Sequence, residues 1–162
     1  MGTPTAAWRA ARVALVTVIL AFASIADARE EEPAAREDAA HCLALAMYWE
    51  AKGEGRGGML AVGSVVLNRV ENPNHPDSVC GVVKEGGEAP PCAFSFWCDG
   101  RPDDPVEEEP WAMAQELAGQ LLTRRPPDPT EGAILFHRHA VSPDWAAEFE
   151  VTARIGNHVF YR

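Results

Sequence analysis

Between Asp38 and Val70 the chain carries two apolar stripes at helical spacing, separated by a glycine-bearing break, and no other stretch restricts the fold as much. Leu43, Ala46, Met47 and Glu50 recur at three- and four-residue intervals on one face of a helix that Asp38 can cap and that runs to about Lys52. Gly53 offers its stop. Val62, Val65, Val66 and Leu67 define a second helix from Gly58 to about Val70. Asn72-Pro73 blocks its continuation, because the residue before a proline is pushed out of the α region.

Downstream the pattern changes twice. From Pro73 to Pro110 the chain is rich in Pro, Gly, Cys and acidic residues, which predicts long loops, a usual place for binding groups. Trp111, Ala114, Leu117, Ala118, Leu121 and Leu122 then predict a third helix that ends before Arg124-Arg125-Pro126-Pro127. The segments Ala133 to His137 and Val151 to Tyr161 are short and rich in β-branched and aromatic residues, with Gly156-Asn157 near a turn. The expected class is therefore α+β, mainly helical with a small antiparallel β element.

The N-terminus reads as an export signal. Arg9 and Arg12 precede an apolar run from Val13 to Ile25 and a small-residue site at Ala26-Asp27-Ala28. As a membrane anchor the run falls short of the roughly 20 apolar residues that a span needs. The expected organisation is thus a signal peptide over 1–28, a charged flexible leader over 29–38 and one domain over 39–162, acting in the periplasm or outside the cell without a stable membrane span. With 24 acidic against 14 basic residues, a net charge of −10 argues against nucleic acid as a partner, since its phosphates repel such a chain.

Cys42, Cys80, Cys92 and Cys98 all lie in the predicted exported part, where disulfides form readily. Four cysteines allow three connectivities. The short loop between Cys80 and Cys92 favours that bridge. The spacing of Cys92 and Cys98 lacks the closeness of a zinc knuckle.

Chemistry concentrates at Glu50. It sits beside Ala46 and Met47 on the apolar side of the first helix, and if that helix runs on, Glu54 shares its face. A partly desolvated carboxyl is raised in pKa, the condition for donating a proton near neutrality, as a glycosidase acid does. Read by spacing alone, the pair also fits the surface of an amphipathic helix.

The surrounding string adds to that reading. Tyr48-Trp49-Glu50-Ala51-Lys52-Gly53-Glu54, followed by Gly58, Ala61-Val62 and Val65 through Val70, resembles the SleB/CwlJ-type cell wall hydrolase family. The resemblance continues in order through Pro76 to Val83, Cys92, Phe94-Ser95-Phe96, Cys98-Asp99-Gly100, Gly132-Ala133, His137, Pro143-Asp144-Trp145 and Ile155 to Tyr161. It implies a lysozyme-like domain that acts on the glycan strands of peptidoglycan, with Glu50 as general acid and no cofactor. It further implies that water or the sugar's own C6 hydroxyl is the nucleophile, the second giving a 1,6-anhydro product. Three positions depart from the family's usual pattern: Lys52 where arginine is common, and Met59 and Ala93 where glutamine is common.

Other candidates are weighed beside Glu50. Glu54, Ser95, Trp97 and His137 are expected to contact substrate, whereas Phe94 and Phe96 are assigned to the core and Asp99-Gly100 to a turn. His137, His139 and His158 form the rival set, three nitrogens for a zinc-dependent amidase or peptidase, although no His-Glu-x-x-His string is present and Arg138 intervenes. Hydrogen-bonded core positions are the alternative for His137 and His158. A noncatalytic wall-binding module is the third reading, and a monomer is expected throughout.

Overall fold

The computed structural model describes Met1, Gly2 and residues 33–162, so the predicted export segment, beyond its first two residues, and the leader as far as residue 32 lie outside the described residues. The chain divides into two compact units, Met1–Glu30 and Glu31–Arg162, and the second holds every element described. Among the described residues no helix is long and apolar enough to cross a membrane.

Helix α1 (Pro33–Ala51) begins five residues before Asp38. Proline suits a first helical turn, where its missing N–H is not needed, and Ala34 and Ala35 are strong helix formers. Asp38 therefore lies inside the helix rather than capping it, and the predicted leader is helical from Pro33. A 3-10 turn (Lys52–Glu54) follows, and then α2 (Gly55–Glu71), which starts three residues ahead of the predicted Gly58. Short helices α3 (Val79–Val83) and α4 (Ser95–Cys98) punctuate the predicted loop region. Helix α5 (Glu108–Arg124) covers the predicted third helix.

Helix α2 is the centre of the domain because it is apolar on two sides. Met59, Val62 and Val66 pack with Leu43 and Met47 of α1 and with Leu117 and Leu121 of α5. Ala61 and Val65 pack against Ala133 and Phe160 beneath the sheet. Gly63 allows the closest approach: a Cβ there would lie 2.5 Å from Leu121 Cδ1 and 3.0 Å from Met47 Sδ. Any side chain at that position would have to displace the buried Leu121 and Met47 side chains.

The sheet is β1 (Leu135–Arg138), β2 (Val151–Ile155) and β3 (His158–Tyr161), all antiparallel in the order β1-β3-β2. The predicted hairpin is present, with Gly156 at φ +57° in its turn. Polar side chains lock the sheet to α2. Asn68 Nδ2 donates to Asp128 Oδ2 and to the Ala133 carbonyl, both at 2.9 Å, and Arg69 Nε donates to the Ile134 carbonyl at 2.7 Å.

The disulfides correct the sequence expectation. They join Cys42 to Cys80 and Cys92 to Cys98, not Cys80 to Cys92. Packing of α3 on α1 brings the Cα atoms of Cys42 and Cys80 to 5.3 Å, within bridging range, despite 38 residues of separation. Cys98 closes α4 back onto Cys92. Loop length along the chain did not decide the pairing; helix contact did.

Candidate functional site

The 3-10 turn after α1 determines how the two candidate carboxylates are presented. Because α1 ends at Ala51, Glu50 and Glu54 do not share a helical face, contrary to the reading of a helix that runs on. Gly55, at φ +62°, then reverses the backbone into α2. Both glutamates nevertheless line one cleft of about 530 Å³. Its other walls come from Trp49, Lys52 and Gly53 beside them, Glu107 and Pro110 at the start of α5, Arg138 at the end of β1 with His139 and Ala140 after it, and Asn157 in the hairpin turn.

Glu50 is half-buried, and among the described residues its carboxylate makes no hydrogen bond or ion pair. Burial pushes its carboxyl above the usual carboxylate range, while the Arg138 and Arg69 guanidiniums pull it partway back. Arg69 is itself buried, lies 5.4 Å over the Phe94 ring and leaves its Nη1 without a hydrogen-bond partner. This is a carboxyl able to hold a proton and facing open space.

Glu54 has the opposite surroundings. Its side chain is only 7% exposed and that of His158 only 1%, with His158 Nδ1 3.1 Å from Glu54 Oε1. Glu54 Oε2 also accepts from the Asn157 backbone N–H at 3.1 Å. Gly156 is required here twice over, by its positive φ and because a Cβ would collide with the Glu54 carboxylate. Glu54 thus fastens the hairpin turn to the end of α1.

The cleft rim is a second polar cluster. Lys52 Nζ sits 2.7 Å from Glu107 Oε2 and about equally over the rings of Tyr48 (4.9 Å) and Trp49 (5.0 Å). The buried Tyr48 hydroxyl donates to Glu107 Oε2 and accepts from the backbone N–H groups of Val106 and Glu107, each at 3.1 Å. Trp49 Nε1 donates to the Asp103 carbonyl at 3.0 Å, and its ring stacks on Phe96. The hydrogen bond to Glu107 holds the Lys52 ammonium above its ordinary pKa and the same contact holds Glu107 below its own.

Of the remaining sequence candidates, Ser95, Trp97 and His137 lie outside the lining of this cleft. Ser95 is exposed and Trp97 is half-buried beneath Lys84, whose Nζ lies 4.5 Å from the ring; neither is in the lining. Phe94 and Phe96 are core residues, as expected. His137 stacks on Tyr161 and shares a 2.7 Å hydrogen bond between its Nε2 and the Tyr161 hydroxyl, facing Trp145. Strand pleating puts neighbours on opposite faces, so His137 turns away where Arg138 turns in. His139 lines the cleft and donates its backbone N–H to the Asn157 carbonyl at 2.8 Å. Among the described residues no group of three or more His, Cys, Asp or Glu is placed to hold a metal ion.

Of the three departures from the family pattern, only Lys52 lines the cleft. Met59 is fully buried in the helical core, and Ala93 is exposed, its N–H bonded to the Glu85 carbonyl. Sequence reasoning missed Trp49, Glu107, Arg138 and Asn157 as cleft residues. For Arg138 a signal existed, since period-two alternation places it opposite His137 on the same strand.

Known proteins resemble this chain in sequence and in fold. Residues 53–161 match the family model described as Cell Wall Hydrolase. A spore cortex-lytic enzyme of Halalkalibacterium halodurans is 35% identical over 123 residues, covering 73% of this chain and 33% of that protein. That of Bacillus subtilis is 34% identical over 119 residues, covering 73% and 35%. The chain spans about a third of the length of these curated relatives. The catalytic domain of the Bacillus cereus SleB protein superposes with a TM-score of 0.64 at 28% identity, covering 78% of this chain and 91% of that domain. The catalytic domain of the germination-specific lytic transglycosylase SleB of Bacillus anthracis gives the same score and identity, with 78% and 95% covered. The mainly helical, lysozyme-like α+β class expected from the sequence is the class observed.

Proposed function

Because the chain belongs to the cell wall hydrolase family, we propose that its domain cleaves the glycan strands of peptidoglycan with Glu50 as general acid. The observation that carries the proposal is the contrast within the cleft: the Glu50 carboxyl is raised in pKa by burial and is uncommitted, whereas Glu54 is bound to His158 and Asn157 and Glu107 to Lys52 and Tyr48. The family match begins at Gly53, so the role of Glu50 rests on this geometry and on the motif around it.

In this reading protonated Glu50 donates to the glycosidic oxygen as the bond from C1 of the muramyl residue breaks and an oxocarbenium-like centre develops. A hydrolase with two acting carboxyls needs a second one free to serve as base or nucleophile. With the other cleft glutamates committed, attack by the muramyl C6 hydroxyl is favoured. Its oxygen closes onto C1, its proton returns to the Glu50 carboxylate, and a 1,6-anhydro end is formed. The Bacillus anthracis neighbour, a lytic transglycosylase, supports the same outcome. Two disulfides suit an exported enzyme acting in an oxidising compartment.

The test is mass spectrometry of purified peptidoglycan digested by the protein and by Glu50→Gln. Anhydro-muropeptides that disappear in the variant are expected. Reducing ends that disappear likewise would replace the anhydro step with attack by water. Intact glycan with cut peptides would overturn the proposal in favour of an amidase or peptidase, and bound but uncut glycan would leave a wall-binding module.

A further inference from the structure

Among the described residues, one cation of the cleft lining is held in no ion pair. Lys52 is paired with Glu107, whereas the Arg138 guanidinium is exposed on the lining and makes no hydrogen bond or ion pair among the described residues. It is also firmly mounted. Arg138 is the last residue of β1, the next N–H is bonded to the Asn157 carbonyl, and Glu54 fastens that same turn to the end of α1. A planar fork on a fixed base is suited to a carboxylate. The chain around it has 24 acidic residues against 14 basic ones, so an anionic polymer is repelled by much of the surface and attracted at this point.

Resting on the glycan-strand reading of the cleft, we propose that Arg138 is a specificity-determining residue that binds a carboxylate carried by the glycan strand beside the bond to be cut. The shared chemistry has two sources: the lactyl carboxylate of a peptide-free muramyl residue, or a carboxylate of the stem peptide. Arg138 and Arg69 are the cations that oppose protonation of Glu50. A substrate carboxylate seated on Arg138 neutralises one of them, so binding and proton donation reinforce each other.

The experiment compares the protein with Arg138→Gln and Arg138→Lys on strands with intact stems and on strands stripped of their peptides. Each is assayed before and after carbodiimide conversion of the carboxylates to neutral methylamides. On one untreated set, Arg138→Gln should lower kcat/KM about tenfold, mainly through KM, the size of one charge-assisted contact. Arg138→Lys should recover part of that loss, and on the amidated form of the same strands all three proteins should have the same KM. The set that responds identifies the source of the carboxylate. An equal loss on native and amidated strands, or no loss, overturns the proposal. If the unsubstituted protein cuts no strand, the glycan reading has failed instead. Affinity for soluble strands then decides the carboxylate site: a difference between the protein and Arg138→Gln that amidation abolishes supports it, and identical affinities overturn it.

Discussion

Glu50 and Glu54 stand four residues apart, yet one ends on the open floor of a cleft and the other in a closed joint. The Glu50 carboxyl is desolvated by α1 and the packing around it and meets no hydrogen-bond donor. The Glu54 carboxyl is just as enclosed by protein but meets two donors, both from residues more than 100 positions away in sequence. Burial without partners makes an acid that keeps its proton; burial with partners makes an anchor. The difference between the uncommitted and the structural carboxylate is thus set by what the β2–β3 turn delivers.

Substitution at Glu50 should have the largest effect on activity. Glu50→Gln is expected to lower turnover by about 10²–10⁴-fold, the usual worth of a positioned general acid. The same variant should be no less stable at neutral pH. A carboxyl whose pKa is raised by folding contributes stability that is present below its unfolded pKa and lost as pH rises through the folded value, so a neutral amide removes a cost at pH 7. A large drop in melting temperature for Glu50→Gln would break the contrast.

Glu54→Ala should reverse the pattern, with a stability loss of about 3 kcal/mol in denaturant titration, because His158 Nδ1 and the Asn157 N–H are left unpaired. Activity should fall mainly as the hairpin loosens. A fully folded but inactive Glu54→Ala would move Glu54 into the chemistry. Gly156→Ala should cost about 1–3 kcal/mol from strain at positive φ, with a further cost from displacing the Glu54 carboxylate.

The smallest effect is a shift in pH dependence. Activity should disappear as pH rises through the Glu50 pKa, which lies above the ordinary carboxylate range. Arg138→Gln removes a cation that favours the ionised form, so the basic limb of kcat should move to higher pH. A limb that stays in place would show that another group governs it.

Much of the helical part was legible before any coordinates. The 3.6-residue recurrence of Leu43, Ala46 and Met47, of Val62 and Val66, and of Leu117 and Leu121 marks faces that are indeed buried. Gly156-Asn157 marked its hairpin turn, and Phe94 and Phe96 were correctly assigned to the core. Less legible were features that depend on where elements stop. The unwinding of α1 after Ala51 separates Glu50 from Glu54, and Pro33 rather than Asp38 opens that helix. Ser95, Trp97 and His137 stood in strings resembling the family, but none lines the cleft.

By itself the sequence determined the three main helices, the hairpin and the presence of a carboxyl on the apolar side of α1, because backbone periodicity is a local property that spacing records. Tertiary structure decided the rest. Cys42 finds Cys80 because α3 packs on α1, Glu54 finds His158 because the hairpin folds over the 3-10 turn, and Arg138 comes into the cleft with Glu50. These partners are brought together by packing between elements far apart in the chain, and neither residue of such a pair carries a local mark of the other.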